Sequence, residues 1–198
     1  MHGSRFLSKY TMALLFLTGF AALGSGCAGS LYKVKPAIRA PLPDTAKRAE
    51  AGGLTAAAVP LLSDEENQDL FDFNLPASGL LPVRIELVNG TSLPVQLEKA
   101  RFRMRDQAGR EWKLLSIKQT ASRIMKADDV TLYNPNSRKK FITELGAYSL
   151  ETKTTLAPNE RRQGTLFFET PGKEPVESPR GLTLTVERLP VEITIPLT

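Results

Sequence analysis

Leu81-Pro82-Val83-Arg84-Ile85-Glu86-Leu87-Val88-Asn89-Gly90 places Val83, Ile85 and Leu87 on one face of an extended chain and ends at Asn-Gly. That is the pattern of a half-buried β-strand closed by a turn. The alternation returns on the C-terminal side. Val95 and Leu97 share one phase, while Ala100, Phe102 and Met104 share the other, so a bulge or a change of sheet is expected near Glu98. Asp106-Gln107-Ala108-Gly109 reads as a turn into Trp112 and Leu114. Further on, Tyr148, Leu150, Thr152 and Thr154 alternate, and Ala157-Pro158-Asn159-Glu160 turns into Leu166 and Phe168. Leu182, Leu184 and Val186 give another strand, and Val191, Ile193, Ile195 and Leu197 the last.

About seven short strands predict an all-β fold, an immunoglobulin-like β-sandwich over residues 80–198 with Trp112 in the inter-sheet core. A single open sheet would leave an apolar face wet. Between the third and fourth strands, over about residues 119–147, the period changes to that of helices. Ala121, Ile124 and Met125 share one helical face that ends at Asp128-Asp129. Asn134-Pro135-Asn136 then opens a second helix with Phe141, Ile142, Leu145 and Tyr148 on its buried side. A plain sandwich does not need this insertion, which makes it the expected seat of specific recognition.

Residues 27–79 show no sustained period and carry Pro36, Pro41, Pro43, Pro60 and Pro76, the pair Gly52-Gly53 and the run Ala56-Ala57-Ala58. They read as a tether with short helical pieces. One piece is expected from Asp44 to Ala51, and another from the capping box Ser63-Asp64-Glu65-Glu66 before Leu70 and Phe71. The acids Asp64, Glu65, Glu66, Asp69 and Asp72 lack the spacing and the glycine of a calcium loop. They fit a solvated helix start.

Upstream, Arg5 and Lys9 precede an uncharged apolar run from Met12 to Leu23, followed by Gly24, Ser25, Gly26 and Cys27. A charged start, a short apolar stretch and small residues make a secretory signal, here residues 1–26. The run is shorter than the ~20 apolar residues of a membrane-spanning helix. Leu23-Gly24-Ser25-Gly26-Cys27 resembles the lipobox of bacterial lipoproteins, with the leucine one place further from the cysteine than the family prefers. The resemblance implies a lipid-modified Cys27 as the new N-terminus. Ala28, standing where an Asp would retain the protein in the inner membrane, implies the outer membrane, facing the periplasm.

The succession from Leu81 to Asn89, then Asp106 to Gly109, then Leu156-Ala157-Pro158-Asn159-Glu160 to Gly164-Thr165-Leu166-Phe167-Phe168 resembles the telokin-like and late-embryogenesis-type immunoglobulin-like domains of exported bacterial lipoproteins. Those families are mostly binding or accessory modules, and the resemblance implies such a role here.

Composition narrows the chemistry. The chain has one His and one Cys. His2 falls in the leader and Cys27 is the modification site, which excludes imidazole- and thiol-based nucleophile systems, zinc sites of those ligands and a disulfide. No cofactor and no metal are expected; Met104 and Met125 lack the usual partners of a soft-metal site. Of 26 basic and 21 acidic residues, only Arg5 and Lys9 leave with the leader, and this mild excess is too small for a nucleic-acid binder.

Two groups carry candidate binding chemistry. Arg101, Arg103 and Arg105 stand at alternate positions and emerge on one strand face, where they suit phosphate or carboxylate groups, unless acids such as Glu86 and Glu111 balance them across the sheet. Asn136, Ser137, Arg138, Lys139 and Lys140 gather positive charge and free N–H groups at a helix start, a possible anion cradle. Ser137 and Lys140 also fit Ser-x-x-Lys, without the companion motifs of that enzyme class. The expectation is a non-catalytic, lipid-anchored module that binds an envelope protein or an anionic component such as lipopolysaccharide. The alternatives are a hydrolase using carboxylates such as Glu144 and Glu151, or a spacer without a specific ligand.

Overall fold

The computed structural model of the chain describes residues 34–37, 40–132 and 134–198. Among them ten strands carry the fold: β1 (Lys47–Ala51), β2 (Leu54–Pro60), β3 (Leu80–Asn89), β4 (Val95–Gln96), β5 (Arg101–Arg105), β6 (Glu111–Leu115), β7 (Thr155–Leu156), β8 (Arg161–Glu169), β9 (Thr183–Glu187) and β10 (Ile193–Pro196). Three helices join them, α1 (Asp64–Phe71), α2 (Ile117–Ala127) and α3 (Pro135–Gly146). Eight strands make one antiparallel sheet in the order β1-β2-β3-β8-β6-β5-β9-β10, and β4 pairs with β7 beside it.

The expected pair of separate sheets is therefore replaced by one continuous, barrel-like sheet. Its corner is β6. Glu111 and Trp112 pair with Arg105 and Met104 of β5, whereas Lys113 to Leu115 pair with Glu169 to Phe167 of β8. The sheet curls until β10 lies against β1, and the two end strands share no ladder. Val83, Ile85, Leu87, Met104, Trp112, Phe168, Leu184 and Ile195 fill the interior. Alternation had marked their faces correctly, but it does not say which strands pair.

The tether expected over residues 27–79 is corrected as well. Asp44 starts no helix: Ala46 N–H bonds to Pro43 O at 2.9 Å, and the chain then enters β1. Gly52 and Gly53, at φ 57° and 78°, form the two-residue loop of a β1–β2 hairpin whose second strand pairs with β3; consecutive positive φ angles are what such a loop requires. Ala56 and Ala58 face the main core, while Ala57 is buried on the other side with Leu42 and Ala46. A strand covered on both faces shows no period of two. The Ser63 cap does form, with Ser63 Oγ accepting from Glu66 N at 3.4 Å, and Asp64, Glu65 and Glu66 of the helix start are exposed as expected, while the far end of α1 buries Phe71 fully.

Phe71 belongs to a second core on the outer face of β3 and β8. Leu75, Leu80, Leu115 and Phe167 lie there under Ile124 of α2 and Phe141 and Leu145 of α3. The helical insertion is thus the cover of a core and not an appendage. Both helices are capped: Ser116 and Gln119 make a reciprocal box ahead of α2, and Asn134 Oδ1 accepts from Asn136 N at 2.9 Å ahead of α3, where the sequence had placed a helix start. Arg123 of α2 meets Glu169 of β8 at 3.2 Å, both largely buried.

The expected strand from Tyr148 to Thr154 is reduced to a parallel bridge between Ser149 and Thr165, followed by the short β7. Asn89 ties this region to β3. Its side chain donates to Leu93 O at 2.8 Å and Leu156 O at 3.1 Å, and accepts from Thr91 N at 3.0 Å and Thr91 Oγ1 at 2.7 Å. Asn89→Ala removes the donor to the buried Leu156 O and the acceptor of Thr91 N and is expected to cost about 1–3 kcal/mol, measured as a lower denaturant midpoint at unchanged slope. A midpoint within error of the parent would show that the turn is held by something else.

Candidate functional site

Strand β5 projects Arg101, Arg103 and Arg105 from one face while Phe102 and Met104 turn inward. The neighbouring strands supply carboxylates, though not the pair expected. Arg103 donates to Glu111 through Nε at 3.1 Å and Nη2 at 2.6 Å, and through Nη1 to Glu187 at 3.2 Å. Arg105 Nη2 reaches Glu111 at 3.9 Å. Glu86 is elsewhere: it accepts from Gln163 and lies 3.7 Å from Arg161. The middle guanidinium is thus held by two carboxylates, while Arg101 and Arg105 are more exposed. Glu187, the register partner of Arg101, could not be found from the sequence, because nothing local links two strands so far apart in the chain.

These contacts show in the titrations. Hydrogen bonds from Arg103 hold the Glu111 carboxyl below its ordinary 4.5, against partial desolvation and with help from the charges of Arg103 and Arg105. The Arg103 guanidinium is raised by Glu111 and then Glu187. Glu160 is lowered from 4.5 by the backbone N–H of Ala157 and then by Arg162, whose guanidinium also binds the carbonyls of Thr154 and Thr155 at 3.0 and 2.9 Å. Carboxyls depressed on folding stabilise the protein above the unfolded value, and this contribution disappears as pH falls through the folded one. The melting temperature should be flat above about pH 5 and fall below about pH 4, with a smaller fall in the Glu160→Gln variant. A variant that falls as steeply as the parent would contradict this.

Beyond Trp112, β6 leaves β5 to join β8, and a slot opens in the sheet. Its volume is about 510 Å³, and Ala100–Arg103, Ser149, Leu150, Thr165–Phe167 and Leu114 are among the residues that line it. Leu114, two residues beyond the buried Trp112, is 38% exposed here. Apolar Leu114 and basic Arg101 and Arg103 line the same slot. The sequence predicted the rim but contained no signal for the slot.

The other candidates are separate from this place. Asn136, Ser137, Arg138, Lys139 and Lys140 begin α3, and none of them lines the slot. The Asn136 N–H is already taken by Asn134, Arg138 Nη2 contacts Ser122 Oγ at 3.4 Å, and Lys140 lies 3.7 Å from Glu144. An anion cradle would have to form around these contacts. Glu151 accepts from its own neighbour Lys153 N at 2.7 Å. Among the described residues no group of three or more His, Cys, Asp or Glu side chains could hold a metal ion, and no helix is long and apolar enough to cross a membrane. The leader and Cys27 lie outside the described residues.

Fold and site define a mostly antiparallel β domain, capped by helices, with a basic, slotted face. No family model matches the chain, and no curated protein matches it. Among solved structures, a conserved hypothetical protein from Bacillus anthracis, known from a 2.2 Å crystal structure, is similar at 14% identity and a TM-score of 0.35, over 75% of this chain and 92% of that one.

Proposed function

We propose that the chain is a lipoprotein anchored through Cys27 in the outer membrane and facing the periplasm, and that its domain is a non-catalytic binding or assembly module for another envelope component. In this reading the curled sheet is a variant of the immunoglobulin-like sandwich, joined along one side through β6. The observation that carries the proposal is the slot: Leu114, a large apolar side chain that is 38% exposed, lines it together with Arg101 and Arg103, and the exposed Arg105 follows on the same strand. A contiguous apolar surface rimmed by charge is the usual mark of an interaction site. The face of the insertion bearing Arg138, Lys139 and Lys140 belongs to the same proposal as a second, weaker contact for anionic groups.

Arg103 also organises the local carboxylates, so the test leaves it in place. The lipidated parent and the Arg101→Gln/Arg105→Gln variant are cross-linked in intact envelopes and recovered. The variant should recover partner material reduced at least about fivefold, in line with the ~1 kcal/mol expected from losing rim charges. Equal recovery would remove this face from the proposal. Excision of residues 119–147 is not a suitable test, because it would uncover Phe71, Leu80 and Phe167.

A further inference from the structure

Strand β5 pairs along its whole length with β9, Arg101 to Arg105 against Glu187 to Thr183, but with β6 only at Met104 and Arg105. In the hairpin joining β5 to β6, the Asp106 N–H donates to Arg110 O at 3.1 Å. Antiparallel ladders alternate with a period of two, so residues 106, 104 and 102 are the ones whose backbone groups point toward β6. Phe102 is left over, since Leu114, which would lie opposite, pairs with Phe168 on β8. The Phe102 N–H and C=O therefore face the slot with no strand across from them.

We propose that the slot is a strand-addition site for an extended segment of a partner protein in which acidic and apolar residues alternate. This rests on the reading of the domain as a binding module and adds the mode of binding and the chemistry of the partner. A strand paired with β5 alternates its side chains in step with β5. One set enters the slot beside Phe102 and meets Leu114, Leu150 and Leu166, and this set must be apolar. The other set emerges on the face of the arginines. There Arg103 already has Glu111 and Glu187, while the exposed Arg101 and Arg105 leave an excess of positive charge. Cross-strand neighbours of opposite sign stabilise and like charges repel, so this set must be acidic. The open edge is short, because the Ala100 N–H already donates to Leu97 O at 3.0 Å and the backbones of Arg101 and Arg103 are paired with β9; the added strand therefore exchanges its hydrogen bonds with Phe102, and its side chains in the slot supply the rest of the contact.

The full lipidated chain in detergent micelles is titrated with two capped nonapeptides, one alternating Val and Glu and the other alternating Val and Lys. Anisotropy of the labelled peptide gives affinity, and hydrogen exchange at the Phe102 amide reports strand pairing. The Val/Glu peptide is expected to bind at least about tenfold more tightly than the Val/Lys peptide, and saturation should slow Phe102 exchange by about tenfold or more. Leu114→Arg should weaken binding by about tenfold, and Arg101→Glu/Arg105→Glu should reverse the preference between the peptides. Equal affinity for both, absence of binding, or saturation without protection of Phe102 would overturn strand addition. Phosphatidylglycerol vesicles that bind through Arg101 and Arg105 while neither peptide binds would also overturn it, yet leave the binding-module reading standing. Failure of that reading would look different: no probe binds, and the double Gln variant recovers partners as well as the parent.

Discussion

Gly164→Ala is expected to destabilise the domain by more than about 3 kcal/mol, at or beyond the upper end for inserting one methyl group into a packed interior. A Cβ on Gly164 would lie 2.2 Å from Leu150 Cα, 2.4 Å from Leu150 N and 2.8 Å from Leu150 Cβ. The obstacle is backbone, and that backbone is pinned. Thr165 N donates to Tyr148 O at 2.7 Å and Leu150 N to Thr165 O at 3.3 Å, while Arg162 holds the carbonyls that follow. The chain leaving α3 crosses β8 at this residue, so relief requires the crossing to lift, and the Leu150 wall of the slot lifts with it. Denaturant unfolding followed by Trp112 fluorescence measures the loss. Gly146→Ala is the control: its Cβ would meet only Ile117 Cγ2 at 3.7 Å, at the end of α3, where alanine is the better helix former. It should be neutral or slightly stabilising. Equal, small effects at both glycines would mean that the chain does not cross β8 where the structure has it.

Phe71→Ala is expected to cost about 3–5 kcal/mol, the range for emptying a buried phenylalanine site. The Phe71 ring is fully buried, 5.0 Å from the Tyr148 ring and 5.8 Å from that of Phe167. The Tyr148 hydroxyl beside it donates to Lys35 O at 2.9 Å, so the N-terminal segment, α1, the end of α3 and β8 meet around one side chain. At about 2–4 °C per kcal/mol for a domain of this size, the melting temperature should drop by about 10 °C. A residue in a tether would give no change. The same substitution therefore decides whether the chain before Gly79 belongs to the domain, and an unchanged melting curve would return it to the linker.

Legibility in the sequence followed the physics of each element. Strand β3 was readable because Val83, Ile85 and Leu87 repeat at two, and the phase break before Ala100 marked the 3-10 turn at Leu97–Lys99 that separates β4 from β5. The helices of the insertion were readable from the shared face of Ala121, Ile124 and Met125 and from Asn134-Pro135 ahead of the second, whereas the Ser116 cap of the first was not picked out. Strands β1 and β2 were not: β2 is covered on both faces, and its alanines lack the branched or aromatic side chains that mark most strands. That the sheet is continuous was equally hidden, because it depends on β6 taking different neighbours at Trp112 and at Leu114. The arginine row was legible from spacing alone, but its carboxylate partners and the slot are consequences of pairing between distant strands.

The proposed lipid anchor at Cys27 is tested most directly by mass spectrometry of the protein extracted from cell envelopes. The expected product begins at Cys27 and carries a diacylglyceryl group on the sulfur. A water-soluble product with residue 27 present as a free, unmodified thiol would contradict it.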